Sequence, residues 1–275
     1  MGGYPTSPHQ VRVIPDEILV MRHSDRIDHI FPDWTTKVMI GSVYSPYDLN
    51  MPLELPIDRP FEDYTRDPPI TINGQVLAKM IGRALKRLGK KPDIIYCSPS
   101  LRCIQTADIV RRSAESPNIK IRVEPALFEH PHTYTIIPTL LKKEQRAKFM
   151  IDETYQPFTR LKDLFRKEEL IDNYKKRLQD VLLRISATAE EKVDPNNPKL
   201  TVLVVGHAST VDMAMGILNT VGRKMKMEEL CGIGDRIPYC CTLLFKRNRS
   251  NWGPEPEDSP SITYTYAEGV EYGRW

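Results

Sequence analysis

The chain has 275 residues, of which 40% are hydrophobic and 27% are charged, and its formal net charge at pH 7 is +3. This composition is typical of a globular protein with a substantial core, and it excludes disorder over the whole chain. Because the basic residues are spread out and no apolar run reaches the roughly 20 residues of a membrane span, neither a nucleic acid nor a membrane is expected as a partner.

The five cysteines indicate a reducing environment. Their number is odd, and their spacing matches no disulfide framework. Residues 1–13 contain no apolar signal core. We therefore expect a cytoplasmic protein whose first 13 residues form a flexible N-terminus.

The first predicted strand covers residues 14–21 and runs directly into the polar cluster Arg22-His23-Ser24-Asp25-Arg26. Repeated prolines follow between residues 41 and 69, and proline disfavours both helices and central strands. We predict a Pro-rich insertion that is ordered on the surface. The aromatic residues that could hold it there are Trp34, Tyr44, Tyr47, Phe61 and Tyr64.

A helix is predicted from Thr71 to Leu88, because apolar residues recur there every three or four positions and Gly89 follows as a stop signal. A short strand over 93–97 leads to Ser98, which we predict to cap a helix that ends at about Arg112. A third strand is predicted over 121–123.

The periodicity is lost between residues 127 and 165, where we predict a cap-like insertion over a site. A long helix is then predicted over 171–192 and a strongly apolar strand over 200–205. The remaining predicted elements are a helix that ends at 218, a strand over 240–245 and a possible strand over 262–266.

Strands that alternate with helices predict an α/β fold, in which helices flank a mainly parallel central sheet. We expect a single domain over residues 14–246, followed by a C-terminal segment, 247–275, that could pack on it. Ligands of such sheets bind beyond the carboxyl ends of the strands. The residues at those ends are therefore the first candidates for a functional site.

Three of the predicted strands end in reactive side chains, so two imidazoles and three guanidinium groups should converge at one sheet edge. These residues are Arg22, His23, Arg26, Arg102 and His207. A phosphoryl group is the expected ligand, because guanidinium groups match its oxygens and a neutral histidine can attack phosphorus. Nearby arginine charges should keep the attacking histidine neutral.

Two other chemistries fit the sequence poorly. Cysteine-based phosphatases need five residues between cysteine and arginine, whereas four separate Cys97 from Arg102. His130 and His132 alternate in sequence, but they lack a recognisable zinc spacing. We therefore predict no metal and no cofactor.

The sequence resembles the histidine phosphatase (phosphoglycerate mutase-like) superfamily. It is most similar to the branch that holds the catalytic domains of ubiquitin-associated and SH3 domain-containing proteins, also called suppressors of T-cell receptor signalling, and ecdysteroid-phosphate phosphatase. The resemblance covers about residues 15–245. The segments that carry it are 21–28, 67–71 with Gly74, 82–85, 97–107, 127–129, 154–157 and 206–209.

The resemblance implies a metal-independent phosphomonoester hydrolase that forms a phosphohistidine. His23 would be the nucleophile, and Glu129 would protonate the leaving oxygen and later activate water. The phosphoryl oxygens would be held by Arg22, Arg26, Arg102 and His207. Aryl phosphates, phosphotyrosine and steroid phosphates are the implied substrates, and a homodimer is the implied assembly.

Three departures from the family pattern leave alternatives open. Ser24 replaces the usual glycine, His130-Pro131-His132 follows Glu129 where the branch has a Trp-containing sequence, and Ala208 replaces the aspartate of the acid phosphatases. The last difference disfavours the acid phosphatase branch. A phosphoglycerate mutase-type phosphotransferase and a catalytically weak phosphate-binding protein are the alternative functions.

Overall fold

The computed structural model describes residues 12–131, 134, 136–165, 169–191, 199–218 and 227–262. Ten strands lie in these ranges. They are β1 (Arg12–Val13), β2 (Glu17–Arg22), β3 (Met39–Ile40), β4 (Val43–Tyr44), β5 (Ile94–Cys97), β6 (Ile121–Val123), β7 (Glu190–Glu191), β8 (Thr201–Gly206), β9 (Thr242–Asn248) and β10 (Asn251–Pro254).

The described ranges also contain ten α-helices. They are α1 (Ile27–Ile30), α2 (Trp34–Lys37), α3 (Phe61–Tyr64), α4 (Ile72–Arg87), α5 (Leu101–Ser113), α6 (Lys143–Arg146), α7 (Leu161–Leu164), α8 (Ile171–Ala187), α9 (Ala208–Leu218) and α10 (Met227–Arg236). A 3₁₀ turn covers Pro125–Leu127. None of the helices in the described ranges is both long enough and apolar enough to cross a membrane.

The central sheet has six strands in the order β10-β9-β2-β8-β5-β6. The four strands β2, β8, β5 and β6 run parallel, and β9 and β10 add an antiparallel edge. The predicted mainly parallel α/β fold is thus confirmed. Register places Arg22 opposite Gly206 and Cys97 opposite Val205, so β2, β8 and β5 end at the same edge.

The sheet separates two apolar layers. Leu19 and Met21 of β2 pack with α4 and α5, whereas Ile18 and Val20 pack on the other face with α8 and α9. Burial on both faces explains why residues 18–21 of β2 and 202–205 of β8 are continuously apolar rather than alternating.

Two strong signals for α4 are its cap and its apolar periodicity. The Thr71 side chain accepts a hydrogen bond from the Gly74 backbone N–H at 2.9 Å, as expected of an N-cap. Only part of the apolar pattern is buried, however: Leu77, Ile81 and Leu85 face the core, whereas Val76, Met80 and Leu88 are exposed. The apolar stripe predicted from the sequence is therefore wider than the buried face.

The capping role predicted for Ser98 is wrong. The N-cap of α5 is Ser100, which makes no side-chain capping bond. Instead, the buried Asp67 carboxylate accepts from the Leu101 backbone N–H at 2.8 Å. Ser98 Oγ lies 2.8 Å from Nε2 of His207, so this serine is used by the site rather than by the helix.

Element ends differ from the prediction where tertiary pairing intervenes. Helix α8 ends at Ala187 rather than 192, because β7 follows and pairs with β1. Strand β2 begins at Glu17 rather than 14. The last predicted strand is shifted, since β9 begins at Thr242 and forms a hairpin with β10. Helix α10 was not predicted, and residues 263–266 of the possible final strand lie outside the described residues.

The two predicted insertions each contain buried aromatic side chains. In the Pro-rich insertion and the residues before it, Trp34 and Tyr64 are buried, and Tyr64 exchanges hydrogen bonds with the Ile57 backbone. In the cap-like insertion, Phe128 packs with Leu140 and Leu164. Both segments thus contain their own buried anchors despite their irregular backbone.

Candidate active site

A cavity of about 200 Å³ lies at the carboxyl edge of the sheet. Its polar wall includes Arg22, His23, Arg26, Glu129 and His207, and α10 contributes an apolar wall with Leu230 and Ile233. The parallel register explains the convergence, since His23, Ser98 and His207 each follow directly on the end of a strand.

His23 is buried, and its hydrogen bonds define a neutral tautomer. Its Nδ1 lies 2.8 Å from the carbonyl oxygen of Ser24, and Nε2 lies 3.3 Å from Nε of Arg102. A carbonyl can only accept and a guanidinium can only donate, so we assign the proton to Nδ1 and the lone pair to Nε2. Burial lowers the pKa of His23 well below its usual value, and the charges of Arg102 and Arg22 add to this shift.

Arg102 lies at the centre of the buried polar cluster. Its Nη2 donates to Oε1 of Glu129, to the Tyr134 hydroxyl at 3.0 Å and to Nδ1 of His207 at 3.3 Å. The side chain is fully buried, and its Nη1 finds no hydrogen-bond acceptor among the described residues. One guanidinium thus contacts both imidazoles and the glutamate.

Glu129 is ionised in this arrangement. Burial alone would raise the pKa of its carboxyl group, but Arg102, His207 and Arg26 outweigh burial and hold that pKa well below its usual range. Its Oε2 lies 3.4 Å from Nδ1 of His207. The pKa of His207 falls to about 3, mainly because of burial, although Glu129 acts in the opposite direction. His207 is therefore neutral near pH 7.

The other two arginines already have protein partners. Nη1 of Arg22 donates to the carbonyls of Gly234 and Ile237 at the end of α10, and the guanidinium lies 4.0 Å above the Tyr239 ring. Arg26 forms a paired contact with Asp28, with Nε 2.9 Å from Oδ1 and Nη2 2.5 Å from Oδ2. Asp28 thus orients one of the cavity's guanidinium groups.

Ser24 is accommodated without crowding the His23 ring. Its Oγ donates to the Gly74 carbonyl at 2.6 Å, and its backbone N–H donates to Thr106 Oγ1 at 2.9 Å. The chain approaches α4 closely here, since a Cβ at Gly74 would lie 2.7 Å from the Asp25 carbonyl oxygen. The glycine at position 74 permits this approach.

The segment after Glu129 contributes to the cavity in a way that the sequence did not indicate. His130 is buried, lines the cavity and packs edge-on against Tyr174, with ring centroids 5.1 Å apart. His132 lies outside the described residues. Tyr134, which also lines the cavity, contacts Glu129 and Arg102.

The described residues contain no group of three or more His, Cys, Asp or Glu side chains that could hold a metal ion. In that part of the chain, Cys97, Cys103, Cys240 and Cys241 are free thiols. Burial raises the pKa of Cys97 well above its usual value. This thiol is therefore not activated as a nucleophile.

The two neutral imidazoles predict that acidification destabilises the fold. The histidines of an unfolded chain titrate near pH 6.5, whereas the pKa of His207 in the folded state is about 3. Between about pH 6.5 and pH 3 the unfolded state binds more protons than the folded state. The free energy of unfolding should therefore fall as the pH falls, and each histidine should contribute up to about 1.4 kcal/mol per pH unit.

Denaturant titrations at about pH 7 and pH 5 measure this slope. The His207→Gln variant should reduce the slope, and a flat wild-type profile would contradict the assignment of neutral histidines.

Comparison with known proteins decides the family. The family model for the histidine phosphatase superfamily (branch 1) matches residues 63–230, which include Arg102, Glu129 and His207. Ecdysteroid-phosphate phosphatase of Drosophila melanogaster is 34% identical over 253 residues, which cover 89% of this chain and 32% of that protein. The chain belongs to the histidine phosphatase superfamily.

Two further members of the superfamily extend the comparison. Ubiquitin-associated and SH3 domain-containing protein B of Homo sapiens is 34% identical over 203 residues, covering 71% of this chain and 30% of that protein. A crystal structure of ecdysone phosphate phosphatase from Bombyx mori in complex with tungstate has a TM-score of 0.73, is 26% identical and covers 94% of this chain and 97% of that chain. The chain spans about a third of the length of the curated relatives it matches.

The superfamily resemblance found from the sequence is thus confirmed. Five of the six predicted site residues line one cavity, and the sixth, Arg102, is buried behind it in contact with His23, Glu129 and His207. Sequence reasoning missed Asp28, Ser98 and Tyr134 as their partners. Asp28 had a signal, because it lies two residues after Arg26 with the opposite charge. Tyr134 had none, because it lies in an irregular stretch where spacing does not determine contact.

Proposed function

We propose that the protein is a phosphomonoester hydrolase that works through a phosphohistidine on Nε2 of His23. The observation that carries this proposal is the buried, neutral imidazole whose Nε2 lone pair faces Nε of Arg102 beside a cavity with two further arginines. A neutral imidazole in a strongly cationic cavity is prepared to attack an anionic phosphorus centre.

In the first step, Nε2 of His23 gives up its hydrogen bond from Nε of Arg102 and bonds to phosphorus, while the bond from phosphorus to the leaving oxygen breaks. The guanidinium groups of Arg22, Arg26 and Arg102 hold the phosphoryl oxygens, and His207 donates a hydrogen bond to the same group. These donors stabilise the charge that the equatorial oxygens carry in the transition state. Preorganised donors of this kind do the work that magnesium ions do in other phosphoryl-transfer enzymes.

Glu129 supplies the proton for the leaving oxygen. In the free protein it is ionised because it faces cationic groups. A bound phosphoryl group brings two negative charges next to the carboxylate and engages the same arginines, so the pKa of Glu129 should rise and the carboxylate should take a proton from solvent. The substrate thereby generates the acid that expels its own alcohol.

In the second step, water attacks the phosphohistidine. The oxygen–phosphorus bond forms, the Nε2–phosphorus bond breaks, and a proton of the water passes to Glu129, which is again ionised after the alcohol has left. Inorganic phosphate then departs, and the excess proton on Glu129 returns to solvent. The net reaction consumes one water and yields an alcohol and inorganic phosphate.

Substrates with a bulky apolar group fit this site best. The wall formed by Leu230, Ile233 and Tyr134 offers apolar contacts to an aryl or steroid group. Two of the relatives are named ecdysteroid-phosphate phosphatases, and these names support a steroid phosphate as a substrate. Aryl phosphates, phosphotyrosine and steroid phosphates are the proposed substrate classes.

The test is release of inorganic phosphate in the presence of EDTA from p-nitrophenyl phosphate, a phosphotyrosine peptide, a steroid phosphate and a phosphoglycerate. Turnover of at least one, unaffected by EDTA, supports metal-independent hydrolysis. Interconversion of phosphoglycerates without net phosphate release would instead indicate a mutase. Binding of inorganic phosphate with no turnover of any substrate would indicate a phosphate-binding protein.

A cytoplasmic location and a homodimer are further proposals. The free thiols of the described residues suit a reducing compartment. A second copy could pack on the exposed apolar side chains of Val76 and Met80 in α4 and of Leu88 directly after it. Light scattering on the purified chain distinguishes one copy from two.

A further inference from the structure

Tyr134 connects the cap-like insertion to the charged centre of the site. It lies five residues after Glu129. Its hydroxyl lies 2.5 Å from Oε1 of Glu129 and 3.0 Å from Nη2 of Arg102. A single phenol oxygen thus contacts both members of the Arg102–Glu129 ion pair.

The direction of these hydrogen bonds follows from what each group can do. The Arg102 guanidinium can only donate and the Glu129 carboxylate can only accept, so Tyr134 accepts from Arg102 and donates to Glu129. Burial raises the pKa of Tyr134, which keeps the phenol protonated. Oε1 of Glu129 therefore accepts from two donors, Arg102 and Tyr134.

The two oxygens of Glu129 are consequently not equivalent. Oε1 is occupied by Arg102 and Tyr134, whereas Oε2 lies 3.4 Å from Nδ1 of His207, the imidazole beside His23. The centroids of the two imidazole rings lie 5.4 Å apart. Oε2 is thus the carboxylate oxygen on the histidine side of the site.

Aromatic packing fixes the position of the Tyr134 ring. The ring stacks on Phe128, with centroids 5.6 Å apart and an angle of 19° between the planes. Phe128 in turn packs edge-on against Phe165 at 5.4 Å and against His207 at 6.1 Å. The hydroxyl is therefore held in place before any substrate arrives, as preorganisation requires.

We propose that Tyr134 is the positioning residue of the acid–base group, and that it makes Oε2 of Glu129 the oxygen that exchanges the proton. This inference rests on the proposed function. In the first step, the proton on Oε2 passes to the leaving oxygen as its bond to phosphorus breaks. In the second, a proton of the attacking water passes to Oε2 as the Nε2–phosphorus bond of His23 breaks.

The test compares Tyr134→Phe with Tyr155→Phe. Tyr155 is a matched control, because its hydroxyl also donates to a glutamate in the same part of the chain, Glu124, at 2.7 Å, but it does not line the cavity. Loss of the Tyr134 donor should raise the proton affinity of Glu129 and so move the limb of the kcat profile that reports Glu129 to higher pH. That limb is the alkaline one for an alkyl phosphate, whose leaving oxygen needs the proton, and the acidic one for a dinitrophenyl phosphate, whose turnover is limited by attack of water. We expect kcat to fall about 10-fold with a smaller change in KM, and Tyr155→Phe to resemble the wild type.

The leaving group provides a second readout. A dinitrophenyl leaving group needs no proton, so Tyr134→Phe should form the phosphoenzyme from that ester at the wild-type rate and from an alkyl phosphate more slowly. In a Glu129→Gln background, Tyr134→Phe should have no further effect, because the two residues act through the same proton. Full additivity, an unmoved Glu129 limb in the kcat profile, or an equal effect of Tyr155→Phe would overturn the inference.

A binding measurement separates this inference from the proposed function. Calorimetry with inorganic phosphate, in buffers of different ionisation enthalpy, counts the protons taken up on binding without any turnover. Tyr134→Phe should shift the pH dependence of that uptake, whereas Tyr155→Phe should not. If the wild type hydrolyses no ester, the proposed function fails, but the shift in proton uptake still tests whether Tyr134 positions Glu129. Proton uptake with an unchanged pH dependence in Tyr134→Phe would overturn that role of Tyr134.

Discussion

Replacement of His23 by alanine should lower the turnover of an aryl phosphate at least about 10⁴-fold, because it removes the atom that bonds to phosphorus. Arg22, Arg26 and Arg102 remain in this variant, so inorganic phosphate should still bind. The loss should therefore appear in kcat rather than in binding. Steady-state kinetics together with calorimetric titration of phosphate measures both quantities.

His29→Ala is the matched control for this variant. His29 is exposed and lies six residues further along the chain, and its ring contacts Tyr239, which also contacts the His23 ring. It should retain wild-type turnover. Residual turnover of His23→Ala within about 10-fold of the wild type would show that another group attacks phosphorus.

Replacement of Arg102 by alanine should lower kcat/KM about 10²- to 10³-fold, the usual cost of losing one oxyanion donor. It should also lower the free energy of unfolding by about 3 kcal/mol, because Glu129 would lose its buried partner. The pKa of Glu129 should rise in the same variant, since Arg102 is the largest of the charges that lower it. Kinetics and denaturant unfolding measure the two effects separately.

Two further variants separate the rate effect of Arg102 from its effect on stability. Arg102→Lys keeps the charge but loses the planar pair of donors. Compared with Arg102→Ala, it should therefore restore more of the free energy of unfolding than of kcat/KM. Arg111→Ala removes a second buried arginine of α5, which pairs with Asp108 away from the cavity, and should cost stability alone. Equal kinetic losses in Arg102→Ala and Arg111→Ala would contradict a role of Arg102 in charge stabilisation.

The fold could be predicted from the sequence where the pattern of apolar residues matches the faces that are buried in the structure. The central residues of β2 and β8 are apolar because helices cover both faces of the sheet. The strands run parallel because helices connect them, with α4 between β2 and β5 and α8 between β6 and β8. The convergence of His23 and His207 follows from that topology, since residues after parallel strands meet at one edge. Ser98 lies at the same edge for the same reason.

The remaining features depend on contacts that spacing does not determine. Helix α10 was missed, yet its end is bound by Arg22, a residue more than 200 positions earlier in the chain. The exposure of Val76 and Met80 could not be predicted either, because their apolar spacing does not show which part of α4 meets α5. The Tyr134 ring stacks on Phe128, and this contact within the irregular cap-like insertion places its hydroxyl beside Glu129.

The departures from the family pattern differ in how far they change the site. The hydroxyl of Ser24 donates a hydrogen bond to the Gly74 carbonyl and does not point at the His23 ring. The serine therefore leaves the position of the His23 imidazole unobstructed. The segment after Glu129 matters more, because it supplies both His130 and Tyr134 to the cavity wall. Differences in substrate preference from the relatives should therefore map to this segment.

Trapping of the phosphoenzyme tests the central claim most directly. The protein is mixed with an aryl phosphate and quenched within the first turnover, and the modified residue is located by peptide mass spectrometry. A single phosphoryl group on His23, stable in alkali and lost in acid, is the predicted result. Turnover that proceeds with the phosphoryl group on another residue, or with no covalent intermediate, would contradict the claim that Nε2 of His23 attacks phosphorus.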